Sequence, residues 1–149
     1  MNYRIGIGYD VHQLEDNHEF MLGGIRIDHS RGATGHSDAD VLIHAICDAL
    51  LGAANLNDIG YHFSDKDPAC KNIDSKILLR QVVDLIGDKG YRIGNIDSTI
   101  VLQSPKIAAY IPQMKATLSE TMKIDQEQIS VKATTTEHLG FAGREEGVA

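Results

Sequence analysis

Asp10 and His12 are separated by one residue in a stretch, Tyr3 to His12, that alternates imperfectly and reads as a strand. Residues two apart in a strand point to the same side. A carboxylate and an imidazole then project together, with Val11 facing the core, and make half of a divalent-metal site. By itself this Asp-x-His reads first as a polar strand end. Asp40, His44 and Asp48 follow at i, i+4 and i+8 of a run that is otherwise apolar nearly all round, from Val41 to Leu50. A charged stripe inside so apolar a helix calls for a partner, because an unpaired buried charge is expensive. A metal on His44, with Asp48 or Asp40 accepting its second N–H, is one account. A solvated i, i+4 Asp–His pair is the other, and the residues alone leave both open. Asp10, His12 and His44 together would give three protein ligands, the number expected of a catalytic zinc site with an open fourth position. The third cluster is Lys132-Ala133-Thr134-Thr135-Thr136-Glu137. Its hydroxyls and N–H groups suit phosphate oxygens, and Glu137 suits a hard cation. Taken alone, that cluster reads first as a plain β-branched strand.

These side chains need elements to place them. Phe20-Met21-Leu22 and Ile25-Arg26-Ile27 around Gly23-Gly24 predict a hairpin. Ser37 or Asp38 opens a helix running to about Ala54, through a Ser37-x-x-Asp40 pattern resembling a capping box. Residues 55–73 are polar and read as a long functional surface loop. Asp74 or Ser75 caps a second helix with Ile77, Leu78, Val82, Leu85 and Ile86 inward, ending near Gly87 or Gly90. Tyr91 to Gln103 reads as a strand. Ser104-Pro105 begins a helix that Pro112 interrupts or restarts and that ends near Met122. Ile129 to Thr135 is a strand, and Phe141 to Ala149 begins another. The order predicts an α+β fold, a two-layer α/β sandwich in which helices cover one face of a small mixed sheet. Gly6-x-Gly8 lacks the remainder of a dinucleotide fingerprint and opens no helix, so it serves tight strand packing.

The chain has 149 residues, enough for one domain, with 42% hydrophobic and 23% charged residues. Aromatics are only 5%, with no Trp, so the core is aliphatic. Fourteen basic residues against 21 acidic give a net charge of -7, and no basic run exists, which argues against a nucleic-acid partner. Two cysteines, Cys47 and Cys70, make no disulfide framework; Cys47 reads as a small buried side chain. His18, His29, His62 and His138 read as exposed. Residues Met1 to Gln13 show no secretory signal, and no apolar run would span a bilayer.

Several motifs run in order along the whole chain. They are Gly8-Tyr9-Asp10-Val11-His12, His36-Ser37-Asp38-Ala39-Asp40-Val41, Asp58-Ile59-Gly60, Ser104-Pro105-Lys106, Lys132 through Glu137, Gly140-Phe141 and Gly143-Arg144. Together they resemble the 2-C-methyl-D-erythritol 2,4-cyclodiphosphate synthase family of the non-mevalonate route to isoprenoid precursors. The resemblance implies conversion of 4-diphosphocytidyl-2-C-methyl-D-erythritol 2-phosphate to the cyclic diphosphate, with release of CMP. It implies that Asp10, His12 and His44 bind one zinc per subunit, and that Glu137 binds magnesium or manganese with the substrate. It makes His36 and Thr135 the catalytic hydrogen-bonding residues. The implied substrate contacts further include Asp10, His12, Ser37, Asp58, Ile59, Gly60, Phe63, Asp65, Thr134, Thr136, Glu137, Phe141 and Arg144. Leu102, Gln103, Ser104, Pro105, Lys106, Ile107 and Ala108 match the cytidine pocket.

The family is a homotrimer with active sites between subunits, and Arg144 and Glu146 match positions near a central cavity that takes an isoprenoid diphosphate. The implied location is the bacterial cytoplasm, or a plastid-type organelle once a transit peptide is removed. Ser64, Ser104 and Glu145 stand where Pro, Ala and Gly are common in the family. The family also continues through a last apolar strand, so the single domain 1–149 is expected to lack a C-terminal strand. The alternatives are a metal-dependent phosphohydrolase of the same substrate class and a non-catalytic trimer that binds metal or an isoprenoid diphosphate.

Overall fold

The computed structural model of the chain describes residues 3–149; Met1 and Asn2 of the predicted domain lie outside the described residues. The strands are β1 (His12–Asp16), β2 (Phe20–Leu22), β3 (Ile25–Ile27), β4 (Arg31–Thr34), β5 (Ile96–Val101), β6 (Ile129–Thr134) and β7 (Gly147–Val148). The helices are α1 (Val41–Ala53), α2 (Ile59–His62), α3 (Ser75–Asp88), α4 (Ile111–Met122) and α5 (Gly140–Gly143). β1 lies between β4 and β7, antiparallel to both, whereas β5 and β6 run parallel. Val101 and Ala149 exchange both backbone hydrogen bonds, at 2.7 and 3.1 Å, and so link the two ladders. The result is the mixed α+β domain expected. Its core is aliphatic, drawn from Leu14, Ile43, Leu51, Leu79, Ile100 and Leu118, with Phe20 the one fully buried aromatic ring among the described residues.

The Gly23-Gly24 hairpin forms as predicted, with φ of 62° and 79° that favour glycine. Asp40 holds it down. This fully buried carboxylate accepts from Gly23 N at 2.9 Å, Gly24 N at 2.6 Å and Ile43 N at 3.1 Å. Asp40 is therefore the N-cap of α1, and the helix begins at Val41 rather than at Ser37 or Asp38. The capping box fails because the Asp40 side chain is committed to the hairpin and to its own helix. α1 can be apolar nearly all round because the hairpin, α3 and β5 all pack on it.

The predicted strand over residues 3–12 forms only at its end, where β1 begins at His12. Residues 3–11 belong to no ladder among the described residues. They lie directly on α1: a Cβ at Gly6 or Gly8 would sit 1.8 Å from the carbonyl oxygen of Ala49 or Ala45. The glycines thus serve tight packing, as the sequence suggests. Val11 does not face the core but is exposed. The parity of the segment explains this, since Gly6, Gly8, Asp10 and His12 turn toward α1 while Ile5, Ile7, Tyr9 and Val11 turn outward. A groove of about 320 Å³ separates residues 6–8 from β5, with α1 residues in its lining.

Elsewhere the boundaries shift. The strand predicted from Tyr91 is β5 alone, starting at Ile96. Ser104–Pro105 opens no helix; its peptide bond is cis, and α4 starts at Ile111 with Pro112 in its first turn, where a missing N–H costs nothing. The long loop holds α2 and a 3₁₀ turn at Pro68–Cys70. In α3, Leu79 takes a buried place and Ile77 is exposed. The final stretch forms α5 before β7.

Candidate metal centre

Asp10, His12 and His44 converge. Asp10 Oδ2 lies 2.9 Å from His12 Nε2 and 3.0 Å from His44 Nδ1, and the two ring nitrogens are 3.0 Å apart. The packing of Gly8 on α1 brings this about: it seats Asp10 and His12 over the first turns of the helix that carries His44. Zinc bonded at about 2.0–2.1 Å to three tetrahedral ligands needs donor atoms about 3.3 Å apart. The residues therefore fit with a small outward adjustment. One carboxylate and two imidazoles also suit a borderline cation. Three lone pairs this close repel one another unless a cation, proton or metal, lies among them. Before a cation binds, burial acts to raise Asp10, yet hydrogen bonds from His12 and His44, which a bound cation would replace, hold its carboxyl well below the usual range. Burial likewise acts to lower His12, and the Asp10 carboxylate overrides it, so His12 titrates above its ordinary value.

The far side of each ring is also held. His12 Nδ1 donates to the Thr34 carbonyl at 3.0 Å, which leaves Nε2 bare toward the centre. His44 Nε2 meets Ser75 Oγ at 2.8 Å and Ser37 Oγ at 3.0 Å. Neither Asp40 nor Asp48 orients His44, contrary to the sequence-based account. Asp40 caps α1 and the hairpin, and Asp48 accepts from Ile59 N at 2.8 Å, fixing the start of α2. Ser75 and the Thr34 carbonyl were missed. No spacing signal links Ser75 to His44 across 31 positions, and a backbone carbonyl carries no residue signature at all.

The other predicted residues fall into two groups. His36 donates from Nε2 to the Asp67 carbonyl at 3.3 Å and accepts at its own carbonyl from Asn72 N, tying the loop to the α1 approach. Asp58 caps α2, accepting from Tyr61 N at 2.8 Å, so Ile59 and Gly60 form its first turn; Phe63 is half-buried and Asp65 exposed. The second group joins residues 102–108 to the Thr134–Glu137 cluster. Leu102 N donates to the Thr134 carbonyl at 2.9 Å, and His138 N to Gln103 Oε1 at 3.1 Å. Thr135 Oγ1 accepts from Glu137 N at 3.3 Å and Thr136 Oγ1 donates to the Leu139 carbonyl at 2.6 Å. Glu137 and His138 take left-handed backbones, with φ of 53° and 63°. No hydrogen bond or ion pair joins this group to the Asp10–His12–His44 triad among the described residues, and Glu137 is not part of the triad's cluster. His18 and His138 are exposed as expected, but His29 and His62 are half-buried, and His62 donates to the Leu56 carbonyl at 2.6 Å. No helix among the described residues is long and apolar enough to cross a membrane.

The YgbB family model matches residues 3–149. The chain belongs to the YgbB family. A relative from Bacteroides thetaiotaomicron, named 2-C-methyl-D-erythritol 2,4-cyclodiphosphate synthase, is 62% identical over 149 residues, covering 100% of this chain and 94% of that one. The structure of the bifunctional IspDF from Campylobacter jejuni matches this YgbB chain with a TM-score of 0.94 at 43% identity, over 97% of this chain and 39% of that one. The CDP complex of IspF from Plasmodium falciparum matches with a TM-score of 0.85 at 36% identity, over 99% of this chain and 92% of that one.

Proposed function

We propose that this chain is a 2-C-methyl-D-erythritol 2,4-cyclodiphosphate synthase of the non-mevalonate pathway. The observation that carries the reading is the convergence of Asp10, His12 and His44 in a YgbB chain 62% identical to a protein of that name. In the reaction, an oxygen of the substrate's 2-phosphate forms a bond to the β-phosphorus. The bond from that phosphorus to the α-phosphate oxygen breaks, and CMP leaves with the electron pair. The nucleophile is already an anion, so no strong general base is needed; the task is to position two anionic groups and to stabilise the transferred phosphoryl.

Asp10, His12 and His44 are the residues to hold zinc, and Glu137 to hold magnesium or manganese. Bound there, such cations supply Lewis-acid stabilisation and a template. His36 and Thr135 hydrogen-bond the phosphoryl oxygens. Ser37, Thr134 and Thr136 serve the phosphates, and Asp58 to Gly60 with Phe63 and Asp65 take the methylerythritol. Leu102 to Ala108, with Lys106, form the cytidine pocket; a CDP complex of a YgbB relative supports a cytidine diphosphate ligand.

The active unit is a homotrimer with its sites between subunits. Two features support this: among the described residues no hydrogen bond or ion pair joins the triad to the Leu102–Glu137 group, and Ile5 and Ile7 are 95% and 91% exposed on one edge. Arg144 pairs with Glu146 through two 3.0 Å bonds, so an isoprenoid diphosphate in a central cavity must compete with Glu146 for Arg144. The bacterial relatives support a cytoplasmic location.

The decisive experiment incubates the protein with the cytidine substrate, zinc and magnesium and identifies products by mass spectrometry. CMP with the cyclic diphosphate is expected. CMP with a linear phosphate would favour the phosphohydrolase, and no CMP from folded, zinc-loaded protein would favour the binding-only trimer.

A further inference from the structure

His44 Nε2 faces away from the triad into a buried polar corner. Ser75 Oγ is 2.8 Å from it and Ser37 Oγ 3.0 Å. Ser75 is the first residue of α3 and fully buried, and its hydroxyl is hydrogen-bonded to Asp38 Oδ1. Asp38 also accepts from Ser75 N with Oδ2 at 3.0 Å and from Asp40 N with Oδ1 at 3.2 Å. Its own N–H donates to the Ile73 carbonyl at 3.1 Å.

The bond from Ser75 to Asp38 has a fixed direction. A carboxylate has only acceptors to offer, so the single Ser75 hydroxyl proton goes to Asp38. What Ser75 Oγ then presents to His44 is a lone pair, and His44 Nε2 must carry the proton to meet it. Asp10 Oδ2, also only an acceptor, competes for a proton on Nδ1 until a cation takes its place. With a cation at the triad the neutral imidazole keeps its one N–H on Nε2, and Nδ1, the atom aimed at Asp10 and His12, is bare to ligate it. Ser37 Oγ has no carboxylate behind it among the described residues; it accepts from Ala39 N at 3.3 Å and is free to follow whichever tautomer Ser75 sets.

We infer that Ser75, backed by Asp38, is a positioning residue that fixes His44 as the Nε2–H tautomer and aims its Nδ1 lone pair at the cation site. Because Ser75 begins α3, the same contact ties the docking of α3 against α1 to the aim of the ligand. Asp38 and Ser75 thereby acquire a role that neither the resemblance nor the spacing assigns. The inference rests on the reading of the triad as a metal site.

The test measures zinc affinity of the full chain by chelator competition, in the parent and in Ser75→Ala, with folding checked by circular dichroism. Ser75→Ala is expected to bind zinc about 10–100-fold more weakly, the usual effect of losing an outer partner of a ligating histidine. Ser37→Ala is expected to lose less. Nitrogen-15 NMR of the zinc-loaded parent supplies the readout that a purely structural role would not move: His44 bound through Nδ1, with a slowly exchanging Nε2–H whose exchange quickens in Ser75→Ala. Folded Ser75→Ala with zinc affinity within twofold of the parent overturns the inference while leaving the metal site standing. So does a parent His44 bound through Nε2, a result that stands even if Ser75→Ala fails to fold. A folded parent that takes up no zinc overturns the metal reading itself, and the inference with it.

Discussion

Gly8→Ala should disable the metal centre without touching a ligand. The added Cβ would sit 1.8 Å from the Ala45 carbonyl oxygen, 2.7 Å from its carbon and 2.9 Å from Ala49 N, all backbone atoms of α1 that cannot swing aside. Ordinary contact begins near 3.4 Å, so the segment must lift from the helix by about 3.4 − 1.8 = 1.6 Å at that point. Metal ligand distances tolerate only about ±0.2 Å, and Asp10 is two residues away on the same face. The lift therefore pulls the carboxylate out of reach of His44. Overpacking of this kind costs about 1–3 kcal/mol, or a Tm loss of about 2–4 °C per kcal/mol for a chain of this size. Zinc affinity should fall by at least about tenfold, equivalent to about 1.4 kcal/mol. Gly6→Ala is the control: it meets the same 1.8 Å clash, on Ala49, but lies two residues farther from Asp10. It should match the thermal loss and spare more of the zinc affinity. Thermal unfolding and chelator competition on both variants make the test. A Gly8→Ala protein with parental Tm and parental zinc affinity would refute the reasoning.

Other outcomes follow from single contacts. Asp40→Ala strands the buried Gly23 and Gly24 N–H groups and uncaps α1, and urea titration should show a loss of about 3 kcal/mol or more. Glu145 sits at φ 59°, a left-handed backbone that suits glycine. Glu145→Gly should therefore stabilise the fold by about 0.5–1 kcal/mol in the same titration, the relieved steric cost less the entropy that glycine loses. Burial first, then the charges of Asp48 and Asp40, hold the Cys47 thiol far above its usual range, whereas Cys70 is half-buried. Native protein at pH 8 should thus take one equivalent of a thiol reagent per chain, and two in denaturant. Glu137→Gln should leave zinc content unchanged and weaken the magnesium dependence of CMP release; unchanged magnesium dependence would count against Glu137 as a cation ligand.

The parts of the fold legible in the sequence were those whose cause is local. The Gly23-Gly24 turn, the aliphatic pattern of α3 and the β-branched run of β6 all follow from neighbouring residues. Tight packing at Gly6 and Gly8 was legible too, because a glycine pair in an apolar strand pattern has few other uses. The failures are nonlocal. Asp40 looks like a partner for His44 by helical spacing, yet two hairpin N–H groups seventeen and sixteen residues earlier claim it. For Val11, strand parity gives two answers, inward or outward, and only contact with α1 chooses outward. Residues 104–110 read as the start of a helix from Ser-Pro, but Pro112 opens α4 instead. Within the site, the three ligands could be named from type and resemblance, whereas Ser75 and the Thr34 carbonyl could not, since they lie far off in the chain and depend on the fold to reach their histidines.

The central claim is that Asp10, His12 and His44 form one cation site, and metal content tests it most directly. The parent, dialysed against zinc and then against buffer, should retain one zinc per chain, and folded His44→Ala should retain none. A folded His44→Ala protein with a full zinc complement, or a folded parent with no zinc, would contradict it.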